Sequence, residues 1–123
     1  MATGPGAERW TVRLSAAAET DYRQILHWTL KNFGATHAKD YAAVLTSALQ
    51  ALCAGTRTVG VKAREEIGAN LWTLHVARQG RKGRHFILFR VNRVQEHLVI
   101  DVLRLLHDSM DLQRHLPPTD LGQ

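Results

Sequence analysis

Three apolar runs with two short polar turns between them constrain this chain more than any other feature: LWTLHVA (71–77), RQGRKGR (78–84), HFILFRV (85–91), NRVQE (92–96) and HLVIDVLRLLH (97–107). Each run is rich in Val, Ile, Leu, Phe or Trp and is bounded by glycine or polar clusters. That pattern predicts three consecutive antiparallel strands. The middle run is apolar on both faces, with Ile87, Phe89 and Val91 on one side and Phe86 and Leu88 on the other, as expected of a central strand. SMDLQRHL (109–116) predicts a short closing helix that stops at Pro117.

Upstream the period changes from two to 3.6. TVRL (11–14) reads as a short strand, and Ser15 stands where an N-cap belongs, with Glu19 and Asp21 near the positive end of the following helix dipole. Ala18, Tyr22, Ile25, Leu26, Thr29, Leu30 and Phe33 form one apolar stripe that Gly34 closes. After Thr36, a second N-cap candidate, Ala38, Tyr41, Ala42, Leu45, Ala48, Leu49 and Leu52 repeat the pattern as far as Gly55. Two helices joined by about three residues must lie antiparallel. TRTVGVKAREEIGAN (56–70) reads as a loop whose charges, Arg57, Lys62, Arg64, Glu65 and Glu66, are solvated. The expected architecture is therefore α+β: an N-terminal strand, an antiparallel αα-hairpin, three antiparallel strands and a short C-terminal helix. Residues 1–9 are expected to form a disordered tail, 10–116 a single domain, and 117–123 a frayed end. With one stripe per helix, the hairpin covers one sheet face. The strip carrying Phe86 and Leu88 is left exposed, which marks a binding surface.

Charge narrows the partners. The 123 residues carry a net charge of +5, and Arg78, Arg81, Lys82, Arg84, Arg90 and Arg93 fall within sixteen residues that contain no acid. A basic sheet calls for an acidic partner, whether nucleic acid, protein or an anionic surface. Cys53, the single cysteine, excludes an intramolecular disulfide and reads as a reduced, buried thiol. No apolar run is long enough to span a membrane and no secretory signal is evident, so a cytoplasmic location is expected.

The seven histidines show neither HxxxH nor HExxH spacing and no Cys pair accompanies them, so no metal and no cofactor are expected. GRKG lacks the strand-to-helix context of a phosphate loop, and no nucleophile triad pattern occurs. What remains is Arg84, Arg90, Arg104 and His107 on the strands. Such a set can neutralise a scissile phosphate and move a proton, or pair with the acids of a protein partner.

VRLSAAAETDYRQILHWTLKNFG, REEIGANLWTLHV, GRHFILFRV and above all VLRLLHDSMDLQRHL resemble the ParE toxins of the RelE/ParE superfamily of bacterial toxin–antitoxin modules, over residues 11–116. Two features depart from the family pattern: Ala16 replaces the proline usual after the serine, and the turn at 78–84 is longer and more basic. The resemblance implies a toxin that binds and inhibits DNA gyrase and is neutralised in a hetero-oligomer by a cognate ParD-like antitoxin. The under-covered, cationic sheet face then places antitoxin contacts at Arg84, Phe86, Leu88 and Arg90, and the closing helix either caps the sheet or meets gyrase through Met110, Leu112 and Arg114. RelE-like relatives instead cut messenger RNA on the ribosome, an alternative that here would rest on Arg84, Arg104 and His107. Against it, the only tyrosines are Tyr22 and Tyr41, both on core stripes, and Asp111 would repel phosphate.

Overall fold

The computed structural model describes residues 9–109. Strand β1 (Thr11–Leu14) leads into helix α1 (Ala16–Phe33), followed by α2 (Ala35–Ala51), a 3₁₀ turn (Leu52–Arg57) and strands β2 (Lys62–Ala63), β3 (Trp72–His75), β4 (His85–Val94) and β5 (His97–His107). The strands form one mixed sheet in the order β1-β5-β4-β3-β2, in which β1 runs parallel to β5 and every other pairing is antiparallel. The α+β architecture inferred from periodicity is thus correct for the described residues. The helix expected at 109–116 lies beyond them, apart from Ser109, as do the expected tails.

Ser15 caps α1 as anticipated, its hydroxyl accepting from the Ala18 amide at 3.0 Å and donating to the Leu103 carbonyl at 2.9 Å. The helix–helix joint is tighter than the sequence suggested. Gly34 alone connects α1 to α2, and Thr36 lies inside the second helix without a capping bond. Gly34 takes φ 95°, ψ 172°, a region open in practice only to glycine, and this reverses the chain in one residue. The 56–70 segment also holds more structure than expected: Lys62 and Ala63 pair with Thr73 and Trp72 as a two-residue edge strand, too short to leave a periodic signature. Arg64 is half-buried, its Nε donating to Thr73 Oγ1 at 2.9 Å. Cys53 is a half-buried free thiol in the 3₁₀ turn.

Between β4 and β5 the expected five-residue turn shrinks to Gln95 and Glu96, at φ 51° and 72°. Two successive positive φ values give a turn that matches the right-handed twist of the flanking strands. Further along the same ladder Leu88 faces Arg104 while Phe89 faces Val102, which leaves Leu103 as an extra, bulged residue. The bulge rephases β5, so that Leu105 joins Ile100 and Val102 on the helix side while Leu103 and Leu106 pack on the other.

The helices bury Ala18, Leu45, Ala48 and Leu52 against Leu74, Val76, Ile87, Phe89, Ile100, Val102 and Leu105. The opposite face corrects the expectation of an exposed strip: Phe86 is 8% and Leu88 0% accessible, clustered with Leu71, Leu103, Leu106 and Ile67. The residues around Ile67, read as polar loop, bring apolar cover to that face, and the bulge adds Leu103. The α1 stripe needs the reverse correction. Leu30 and Phe33 are exposed, because helical period says which side chains share a face but not how far the sheet extends beneath them.

Gly34→Ala is expected to lower stability by about 2 kcal/mol through backbone strain alone, since beyond its chain neighbours the added Cβ meets nothing within 4 Å among the described residues. Glu96→Gly, which relieves a left-handed residue, should raise it by up to about 1 kcal/mol. Urea unfolding midpoints of the two variants should therefore move in opposite directions.

Candidate functional site

The C-terminal ends of β3 and β5 and the start of β4 meet at one end of the sheet, and α2 passes beside them. Tyr41 from α2, His75 from β3, Arg84 and His85 at the entry to β4, and His107 and Asp108 at the end of β5 converge there. Gly83 makes the approach possible, because a Cβ there would stand 2.6 Å from Val76 Cγ2 and 3.0 Å from the Tyr41 hydroxyl.

Tyr41 is the centre of the arrangement. Its hydroxyl accepts the Arg84 backbone N–H at 3.1 Å and lies 2.7 Å from His85 Nδ1. With one lone pair occupied, the hydroxyl best serves His85 as donor, which requires a neutral ring bearing its proton on Nε2. The electrostatics agree. Burial, then His107 and His75, lower the His85 pKa to about 4 against the opposing pull of Asp108 and Asp21. Burial likewise raises the Tyr41 pKa. The His85 and His107 rings stand edge to face at 5.3 Å. His107 Nδ1 accepts the Ser109 N–H at 3.2 Å and lies 2.7 Å from its hydroxyl.

Asp108 gathers the cationic side. Its carboxylate lies 3.0 Å from His75 Nε2 and accepts Arg84 Nε at 3.3 Å, with His107 Nδ1 at 3.7 Å. The bond from His75, then Arg84, holds its pKa below the usual range. The Arg84 side chain remains 70% accessible. In the basic turn that precedes it, the Arg78 Nε is out of solvent with no hydrogen-bond partner among the described residues. Among the described residues no group of three or more His, Cys, Asp or Glu could hold a metal ion, and no helix is long and apolar enough to cross a membrane.

The other residues singled out from sequence are dispersed. Arg104 is not part of this cluster: the Asp21 carboxylate accepts its Nε at 2.8 Å and its Nη2 at 3.0 Å, and also takes the Leu105 backbone N–H at 2.9 Å. Asp21 is buried and continues the β5 edge where β1 ends, so Arg104 has a structural role there. Arg90 lines a cleft of about 600 Å³ on the sheet face away from the helices, with Arg13, Asn70, Asn92, Asp101 and Leu103. There Asp101 pairs with Arg13 at 2.8 Å, and among the described residues no partner holds the Arg90 guanidinium. Phe86 and Leu88 are buried under the second cluster, and Met110, Leu112 and Arg114 lie outside the described residues. Sequence reading missed Tyr41, His75, His85 and Asp108. Tyr41 carried a signal, a hydroxyl on an otherwise apolar stripe, but its partner sits 44 residues away.

This order, a strand, a helical hairpin and an antiparallel run with the first strand added in parallel, is similar to solved chains of toxin–antitoxin systems. A chain of the chromosomal ParDE toxin–antitoxin system from P. aeruginosa superposes with a TM-score of 0.64 at 16% identity, covering 81% of this chain and 97% of that one. A chain of the toxin–antitoxin complex RelBE2 from Mycobacterium tuberculosis does so with a TM-score of 0.50 at 23% identity, covering 80% and 98%. Residues 12–112 match the ParE toxin of the type II toxin–antitoxin system parDE, and the chain belongs to that family. No curated protein sequence matches it closely enough to count as a relative.

Two outcomes follow from the geometry. Asp21→Ala should cost about 3–5 kcal/mol in urea unfolding, because it removes the buried carboxylate that Arg104 and the Leu105 amide share. Asp21→Asn, which keeps an acceptor for the amide, should cost less. For His85 the folded pKa of about 4 lies below the ordinary 6.5, so between these values the unfolded chain binds more protons. Its contribution is complete above pH 6.5 and is lost as pH falls toward 4. Stability measured across that window should fall more steeply in the wild type than in His85→Gln.

Proposed function

We propose that this member of the ParE family inhibits DNA gyrase by binding it, without covalent chemistry of its own, and that an acidic ParD-like antitoxin neutralises it in a cytoplasmic hetero-oligomer. The observation that carries this over ribosome-dependent message cleavage is the engagement of Arg104. A nuclease built on Arg84, Arg104 and His107 needs all three at one phosphate, yet Asp21 holds Arg104 at the sheet edge while Arg84 and His107 stand beside Asp108. The Asp108 carboxylate beside Arg84 and His107 opposes the negative charge of a phosphodiester.

The same distribution supports the antitoxin reading. Arg84 is exposed and Arg90 lies open in its cleft, so the two present cations on the strands for carboxylates of an extended or helical segment. Phe86 and Leu88 act beneath that surface, through the second cluster, rather than as an exposed strip. Met110, Leu112 and Arg114 remain proposed gyrase contacts.

Purified protein added separately to a gyrase supercoiling assay and to translating ribosomes decides the activity. Inhibited supercoiling with intact message is expected; untouched supercoiling at micromolar protein with codon-positioned cuts would overturn the proposal. For the antitoxin, Arg84→Glu with Arg90→Glu should weaken binding to the product of the neighbouring small open reading frame by tenfold or more, and the loss should diminish at high salt.

A further inference from the structure

The last two turns of α1 carry the largest apolar side chains that the described fold leaves in water. Trp28 is 59%, Leu30 48% and Phe33 57% accessible. The rings are connected: Trp28 and Phe33 meet edge to face at 5.6 Å, and Phe33 lies 5.9 Å from the His37 ring across the reversal at Gly34; Leu30 stands one turn before Phe33. Asn32 secures the turn by donating from Nδ2 to the Trp28 carbonyl at 2.8 Å. Aromatic side chains bury roughly 150–250 Å² each, so half-exposed Trp and Phe with Leu30 present about 300 Å², within the range of the largest apolar patch on a typical monomer, which is often functional. The ring contacts preorganise the knob, which lowers the ordering cost of binding.

Charge identifies what fits it. Residues 22–39 contain Arg23, Lys31 and Lys39 and no acid, and His27, Lys31 and His37 are exposed around the tip. The complement is an apolar pocket edged by carboxylates. A second copy of this chain would bring the same cations face to face. A nucleic-acid strand needs open ring faces in succession; here the two rings cross at 66°, one presenting its edge to the other, and Leu30 offers no ring. The occupant is a protein.

We infer that this hairpin tip is a surface with which the toxin docks on its protein target, in addition to the proposed C-terminal contacts and apart from the cationic strand ends and cleft proposed to face the antitoxin. The inference rests on the toxin reading above and assigns a target contact that no motif marked. The knob enters the partner's pocket as the apolar anchor, and Lys31 with the two imidazoles meets the acidic rim.

The test compares wild type with Trp28→Ser/Phe33→Ser and, separately, Lys31→Glu, which keeps the aromatic group. Affinities for purified gyrase holoenzyme, for the antitoxin and for a labelled single-stranded oligonucleotide are measured beside sedimentation and melting temperature. The double variant should bind gyrase at least tenfold more weakly and Lys31→Glu several-fold more weakly, with antitoxin affinity within twofold of wild type. Unchanged gyrase affinity in both variants overturns the inference and leaves the toxin reading standing. A parallel loss of antitoxin affinity, a wild-type dimer lost in the double variant, or oligonucleotide binding lost with the rings also overturns it. Should the double variant unfold, Lys31→Glu alone decides. A wild type that binds no gyrase brings down the target reading and this inference together.

Discussion

One carboxylate closes the sheet. Where β1 ends at Leu14, β5 would continue with an unpaired edge, and the Asp21 side chain reaches down from α1 to accept the Leu105 amide and the Arg104 guanidinium. A buried charge is tolerated only when paired and hydrogen-bonded, and this one is both. The bulge at Leu103 accompanies it, since the rephasing sets Leu105 on the helix side and its amide toward the carboxylate. On the other side of the central strand Asn70 performs a matching task. Its amide donates to the Val91 carbonyl at 2.7 Å and accepts the Val91 N–H at 3.3 Å, which prolongs the ladder beyond the last residue of β4 that β3 pairs. Side chains thus finish what short strands begin.

Much of this fold was legible in the chain. The α1 start, the helical hairpin, and the strands at 85 and 97 followed from period and caps, because those signals are local. What escaped depended on contacts distant in sequence or on single residues. A period-two reading of VIDVLRLLH cannot register one extra residue, so Arg104 looked like a strand cation offered to a phosphate or a partner's acid when Asp21, 83 residues earlier, holds it. Two-residue β2 has no period at all. Phe86 and Leu88 were misjudged because Ile67, which shares their cluster, lay in a segment classed as polar. Leu30 and Phe33 were misjudged in the other direction, since a stripe records phase but not length of support.

The candidate site shows the same limit. Arg84 and His107 were visible as basic residues on strands, but their relation to Tyr41, His75, His85 and Asp108 is a product of topology. Antiparallel strands bring the end of β3, the start of β4 and the end of β5 together, and Gly83 lets the loop approach α2. The neutral His85 is a consequence of being enclosed beside two other imidazoles. Its chemistry is set by neighbours that no spacing rule connects.

The parallel pairing of β1 with β5 has a consequence for how the protein comes into being. Thr11 pairs with Val99 and Leu14 with Val102, so the first strand to leave the ribosome has no ladder until the last has been made. Contacts of such long sequence separation form late and slow the final step of folding. The helical hairpin can assemble early from local contacts, but its carboxylate at Asp21 waits for the same last strand. A nascent chain therefore holds its sheet open through most of its synthesis. A partner that recognises the finished sheet can act only after translation has brought both ends of the domain together.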